Sequence, residues 1–455
     1  VEQQHLPHLG RRVWRSIFRR PITVRTDQER KWAVVNNFIL HFRPVRLPAK
    51  TLSYTHTFGL GGMSLVLVLL LIGTGGIMMF AYQPAPGAAY DSVVALEQDT
   101  LFGGFVRGVH HWSANFLIAI VLLHLLRVFF TGSIHAPRQF NWVIGVTLLL
   151  CVIAANFTGY LLPWDQLAYW AITISTGMLA YIPFIGEWLE RMVRGGSEIG
   201  QPTLTVFYTL HTTVVPVLLL GLMAWHFWRV RKAKGVVVPR RPGEPIEPRP
   251  EKVLGLPFLV LREFVVALIL VAAVMLFAAI VAAPLGEAAN PGMSPNPAKA
   301  PWYFMGIQEL LLHFHPTFAV VVLPLAGLLA VLAIPYIGYG EDTSGIWFAS
   351  RRGRTLATAA AAAALLFTPA LVILDEWVLD LPGWMPWLPA LISNGLIPVI
   401  LCAGVLWAAA RWLRHARAAT RYETVQTAFV FLGTAFVALT AIGVWFRGEG
   451  MVLGV

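Results

Sequence analysis

Nine stretches of this 455-residue chain are apolar for long enough to cross a bilayer as helices, and this limits the fold more than any other feature of the sequence. They fall at about 57–82, 105–131, 140–161, 204–230, 259–283, 317–337, 355–374, 390–412 and 424–446. Inside hydrocarbon each backbone N–H and C=O must find its partner within the protein, so such stretches are helices and the fold class is all-α, a polytopic membrane protein. Composition agrees, because 57% apolar and 13% charged residues give more apolar surface than one soluble core can bury. A soluble enzyme is excluded. Cys151 and Cys402, the two cysteines, lie within apolar runs, so there is no disulfide framework, no thiolate cluster and no C-x-x-C-H for covalent haem attachment.

The formal charge of +11 invites a nucleic-acid reading until the charges are placed. Alternating the connecting segments between two sides puts 29 of the 34 Lys and Arg, and 10 acidic residues, on the side that holds residues 1–56. The other side keeps five basic and 13 acidic residues. The positive-inside rule then expects a cytoplasmic N-terminus, with the chain in the bacterial inner (cytoplasmic) membrane and no nucleic acid as partner. Residues 9–20 set Leu9, Val13, Trp14, Ile17 and Phe18 against five arginines, the pattern of a helix lying on anionic membrane lipid. The expected organisation is a basic interfacial segment (1–50), a four-helix bundle (51–234), a Pro-rich linker (235–257), a second transmembrane half (258–412) and an extra C-terminal span (413–455).

Ionisable residues within spans are costly and point to function, which directs attention to the histidines. His110 and His124 lie 14 apart in the second span, and His211 and His226 lie 15 apart in the fourth. At 100° per residue these intervals return to about −40° and +60°, so each pair shares a helix face with roughly 21 Å between its members. Two such helices face to face offer two stacked bis-imidazole sites, the ligation of low-spin b-type haem iron. Arg107, three residues before His110, and Arg127, three after His124, are placed to neutralise haem propionates. Gly61 and Gly75 in the first span, and Gly145 and Gly159 in the third, repeat the 14-residue interval and would let a porphyrin edge approach the backbone. His111 has no counterpart and reads as a polar neighbour.

These residues sit in the runs R-G-V-H-H-W (107–112), F-N-W-V-I-G (140–145), T-G-Y-L-L-P-W-D-Q-L-A-Y-W (158–170) and F-Y-T-L-H-T (207–212), through which the chain resembles cytochrome b, the haem-bearing core of quinol-oxidising cytochrome bc complexes. The resemblance is close over 35–235 and looser over 255–340; the 15-residue histidine interval is like that of the split photosynthetic form, here with its second half fused on. It implies a dihaem four-helix bundle with two non-covalent b haems, His110 and His211 holding the lower-potential one and His124 and His226 the other. It implies bifurcated quinol oxidation at the outer side, with one electron passed to a Rieske iron–sulfur protein and one sent across the membrane to an inner quinone. A cytochrome c type subunit and a homodimeric complex are the further partners it implies. Where the split form carries a haem-attaching Cys this chain has Gly59, so no covalent haem is expected.

The family's outer site reads Pro-Glu-Trp-Tyr, whereas this chain has Ala300-Pro301-Trp302-Tyr303. Trp302 and Tyr303, together with Tyr169 of the P-W-D-Q turn region, read equally as the lining of an apolar quinol pocket and as aromatic belt residues at the membrane surface. Glu309 is the expected substitute base, because burial would raise its pKa towards the working pH and seven helical steps bring it to the Trp302 face. Asp165 is the runner-up, His313 and His315 either take a quinol proton or, the favoured reading, face outer water, and a link from Glu309 to Lys299 is the structural alternative. For the inner site Arg231, Ser53 and Asp27 are candidates. Two other functions fit intramembrane histidines: a dihaem membrane anchor of a quinone-linked dehydrogenase, which lacks the P-W-D-Q turn, and a proton-coupled transporter, which should show an internal repeat that the two dissimilar halves do not provide.

Overall fold

The computed structural model describes residues 26–36 and 44–454, and among them nine helices are long and apolar enough to span a membrane. The amphipathic segment expected at 9–20 lies outside the described residues. In chain order the helices are α1 (Asp27–Asn36), α2 (Leu60–Met78), α3 (Ala89–Gln98), α4 (Gly103–Phe130), α5 (Gln139–Tyr160), α6 (Gln166–Gly177), α7 (Gly186–Arg194), α8 (Gln201–Lys232), α9 (Gly255–Ile280), α10 (Trp302–His313), α11 (Thr317–Tyr336), α12 (Arg351–Trp377), α13 (Ile392–Ala416) and α14 (Arg421–Trp445). α2, α4, α5, α8, α9 and α11 to α14 are the spans, within a few residues of the ranges expected from the sequence.

α2, α4, α5 and α8 form the bundle, and α9 packs on its α2–α4 side. The bundle core is aliphatic, with Leu67 and Val68 against Leu117 and Ile118, Cys151 and Val152, and Val215 and Leu219. α14 runs along α12 and α10. On the basic side the halves meet around Phe129, Trp142, Ile334 and Tyr422. There the Tyr422 hydroxyl donates to the Phe129 carbonyl at 2.8 Å, and the Trp142 indole donates to the Val331 carbonyl at 2.8 Å. The Pro-rich linker is tied down as well: β2 (Lys252–Leu254) pairs antiparallel with β1 (Arg46–Pro48), and His56 Nε2 lies 2.7 Å from the Val237 carbonyl.

Three spans contain a π turn, at Leu210–Val214, Thr317–Val322 and Ile392–Leu396. Each ends two residues before a proline, Pro216, Pro324 or Pro398. Proline lacks an N–H and crowds the carbonyl four residues back, and a widened turn accommodates both faults. The first of these turns corrects the angular reading of α8. It contains His211 and takes up one extra residue on the way to His226, so 15 residues there return to the heading that 14 give in regular helix.

Candidate functional site

His110 faces His211 and His124 faces His226, with imidazole centroids 6.1 and 6.5 Å apart. Two imidazole nitrogens binding one metal ion at about 2 Å each, with roughly 1 Å more from nitrogen to ring centre, need about 6 Å between centroids. Both gaps suit one ion. Among the described residues no group of three or more His, Cys, Asp or Glu could hold a metal unaided. Each pair offers two ligands, the number that a macrocycle such as haem leaves for the protein to supply.

The environment sets the tautomer. The Thr74 hydroxyl donates to the Leu70 carbonyl at 2.7 Å and is free to accept from His110 Nδ1 at 3.0 Å. His211 Nδ1 donates to the Ala155 carbonyl at 2.9 Å. With Nδ1 protonated, Nε2 keeps its lone pair for the metal, the usual outer support of a ligating histidine. At the other level, among the described residues, Arg127 Nε is buried with no partner, a donor that an anionic substituent of a bound group would satisfy, and the Nδ1 atoms of His124 and His226 also lack partners. A cavity there is lined by His124, His226, Arg127, Asn141, Trp142 and Arg229.

The four glycines of the repeated interval each face one of these rings. A Cβ on Gly61 would meet His124 Cε1 at 3.3 Å, on Gly75 His110 Cε1 at 3.1 Å, on Gly145 His226 Cε1 at 3.6 Å, and on Gly159 His211 Cε1 at 2.5 Å. The repeated interval by itself predicts room for a porphyrin edge. In the structure they make room for the imidazoles.

Other expected roles change. Arg107 is buried and fully engaged by Glu97 and the carbonyls of Ala283 (3.1 Å) and Pro284 (2.6 Å), so it ties α4 to the segment after α9 instead of waiting for a propionate. Asp165 caps α6, accepting from Ala168 N at 2.8 Å, and its second oxygen accepts from Gly286 N at 3.0 Å. Both oxygens hold backbone, a poor arrangement for a base. Tyr169 is buried in a cluster with Trp164, Leu204 and Phe207, to which Trp302 does not belong. Arg231 is half-buried and does not line the cavity beside His124, where Arg138 and Arg229 do. Asp27 pairs with Arg30 at 3.3 Å, and Ser53 Oγ lies 3.1 Å from Thr55 Oγ1.

Trp302 and Tyr303 begin α10. Trp302 donates from its indole to Asn115 Oδ1 at 2.9 Å, and Asn115 Nδ2 lies 3.3 Å from His111 Nε2. This bond links the start of α10 to α4, the helix that carries His110 and His124. The sequence signal for Asn115 is its i+4 offset from His111, which puts the two on one helix face. Tyr303 packs against the bundle core, and burial together with neighbouring Tyr160 raises its phenol pKa.

Glu309 is wholly buried and bonded to Arg447, which follows the last span: Nη2 donates to Oε1 at 2.6 Å and Nε at 3.0 Å. Arg447 Nη1 also donates to Glu376 at 2.8 Å. His313 Nε2 lies 3.4 Å from Glu309 Oε1, and its Nδ1 is 2.6 Å from Asp375. Burial by itself would raise the Glu309 carboxyl, but hydrogen bonds from His313 and Arg447 outweigh it and hold the group below the ordinary carboxylate value. The expected raised pKa is thereby overturned. Lys299 is not its partner either, since its ammonium donates to the Val444 carbonyl at 3.0 Å. His313, expected in outer water, is half-buried in this network, where bonds to Asp375 and Glu309 overcome desolvation and raise it to about 9. The His315 ring caps Thr317 N at 3.3 Å.

Comparison with known proteins adds a family to this geometry. The family described as Cytochrome b/b6/petB matches residues 47–234. Cytochrome b6 of Synechococcus sp. (strain WH7803) is 45% identical over 173 residues, which cover 38% of this chain and 79% of the relative. Cytochrome b6 of Prochlorococcus marinus (strain NATL1A) gives the same identity and coverage. Among solved structures, one described as hyperthermophilic respiratory Complex III aligns with 91% of this chain and 97% of its own, at a TM-score of 0.64 and 21% identity, a likeness of fold that extends into the second half.

Proposed function

The chain belongs to the cytochrome b/b6 family, and from that premise we propose that it is the dihaem subunit of a quinol:cytochrome c oxidoreductase of the bc type. Its coarse role is electron transfer in a redox complex of the membrane. The finer reading is that quinol is oxidised at the acidic side, one electron going to a Rieske iron–sulfur partner and the other crossing the bundle to a quinone at the basic side. A cytochrome c type subunit and a second copy of the complex complete the proposed assembly. The observation that carries this reading is the pair of imidazole gaps of 6.1 and 6.5 Å, each backed by glycines on the facing span.

His110 with His211 and His124 with His226 would hold two non-covalent b haems, which when bound supply one-electron chemistry at two levels of the membrane. The chain's own contribution is orientation and charge. Thr74 and Ala155 fix the rings of His110 and His211, and Arg127 brings a buried cation to the other level. At the acidic side Trp302 and Tyr303 offer an apolar wall, with Asn115 as its polar contact. Domain boundaries follow the same proposal: bundle to residue 234, linker to 257, second half to 412 and the added span beyond.

Purified chain should give a reduced-minus-oxidised spectrum of b haem, and denaturing extraction into acid acetone should release all of it. Haem left on the polypeptide would refute non-covalent binding and the inference from Gly59. Orientation has its own test. Protease added to right-side-out vesicles of the cytoplasmic membrane should leave the 235–257 linker intact, because 29 of 34 basic residues segregate to its side. Cleavage there would exchange the outer and inner sites.

A further inference from the structure

We propose that the basic-side ends of α12, α13 and α14 form a binding site for the headgroup of an anionic phospholipid. At the end of α13, Arg411, Arg414 and Arg417 are all exposed, and Arg351 and Arg354 at the start of α12 are exposed on the same side. No lysine occurs in this group. Arg352 is used by Glu423, with Nη2 to Oε2 at 2.7 Å, and Arg421 by the Gly338 carbonyl at 2.7 Å. Glu423 is buried and is the single acidic residue at these three helix ends; Glu341 and Asp342 of the preceding loop line a separate cavity with His135 and Gln139. Among the described residues no ion pair compensates these exposed arginines.

Two of the arginines are held in place by aromatic rings. The Arg411 guanidinium lies 5.2 Å from the Trp407 ring centre, and that of Arg417 lies 5.0 Å from Trp412. A ring occupying one face of a guanidinium leaves the N–H donors along its edge, the part that grips a phosphate bidentately. Lysine at these positions would present a point charge without that fork. Both tryptophans are themselves exposed, the posture of residues at the boundary between headgroups and hydrocarbon.

A lipid is favoured over a free anion by what continues below the arginines. The most apolar stretch of α13 has none of its residues buried within the chain, and Leu396, Ile400, Leu401 and Val405 form a bare apolar surface along it. Acyl chains would lie on that surface while the phosphate meets the arginines, so one ligand satisfies both halves of the face.

The full chain, carried in mild detergent from mixed phosphatidylcholine and phosphatidylglycerol vesicles and weighed intact, should retain phosphatidylglycerol in preference. R414Q/R417Q should weaken binding of added phosphatidylglycerol at least about fivefold, from the loss of basic groups at the surface. R414K/R417K should recover only part of it, and W412L should weaken it with every charge in place. The charge-matched R241Q/R249Q in the linker should bind as wild type, and helical circular dichroism should be unchanged throughout. Equal loss in the linker variant, undiminished binding in R414Q/R417Q, displacement by inorganic phosphate at the lipid's own concentration, or a doubled mass that R414Q/R417Q abolishes would each overturn the proposal.

Discussion

Gly159→Val is expected to strip one of the two proposed haems from the chain, halving its b-haem absorbance, while the helices remain folded. A Cβ at residue 159 would stand 2.5 Å from His211 Cε1 and 2.9 Å from Nδ1, closer than real carbon contacts permit. The imidazole is the part that can yield, and turning it breaks its 2.9 Å bond to the Ala155 carbonyl and misdirects Nε2 from His110. The fold survives and the ligand geometry does not. Alanine at the four glycines should grade the effect by the space each ring leaves: strongest at Gly159, then Gly75 (3.1 Å), Gly61 (3.3 Å) and Gly145 (3.6 Å). Gly62, whose Cβ would meet nothing within 4 Å, is the control for any general effect of losing a glycine in a span. Leucine at His110 or His211 should remove the same spectral component as Gly159→Val, and leucine at His124 or His226 the other. Loss of one and the same component from all four histidine variants would refute the pairing.

That prediction rests on a pattern visible in the bare sequence, and the reason is local. A helix converts spacing into direction, so His110 with His124, and Gly145 with Gly159, announce a common face whatever the rest of the chain does. The 15-residue interval in α8 was harder, because its meaning depends on a π turn. Pro216 after Val214 was the available hint, and Pro324 and Pro398 follow π turns in the same way. Residues whose partners are distant in sequence were read least well. Arg107 meets carbonyls of Ala283 and Pro284, Asp165 meets Gly286, and Glu309 meets Arg447, which lies 138 residues away. Nothing in spacing or hydropathy reports which of several acidic-side cations folds back on a given carboxylate; that follows from the docking of α14 on α10. The second half consequently had legible spans and a largely illegible interior.

Removing that cation is the second large effect expected: Arg447→Gln should destabilise the chain by about 3–5 kcal/mol, because it takes the bidentate partner from the buried carboxylate of Glu309 and leaves it only His313 at 3.4 Å. Glu309 and Arg447 have no side-chain surface exposed, so solvent screening gives little relief. Glu309→Gln with Arg447→Gln together should cost less than Arg447→Gln alone, since the double change removes both buried charges. The readout is the thermal midpoint of purified chain in detergent, followed by α-helical ellipticity. Its pH dependence identifies His313. Held at about 9 in the folded chain against 6.5 ordinarily, this imidazole contributes stability that is complete below pH 6.5 and is lost as pH rises through about 9. That difference amounts to about 3 kcal/mol, so the midpoint should fall steadily across the window, and His313→Gln should flatten the fall. Glu309, held below its ordinary value, acts in the opposite direction: its contribution is present at neutral pH and fades in acid. The same variants separate anchoring from catalysis. An anchoring Glu309 predicts that Glu309→Gln lowers the midpoint and that any slowing of quinol-dependent haem reduction follows the loss of folded chain. A tenfold slowing with an unchanged midpoint, about 1.4 kcal/mol on the barrier, would return Glu309 to the proton-accepting role and make the Arg447 pair a modulator of its charge.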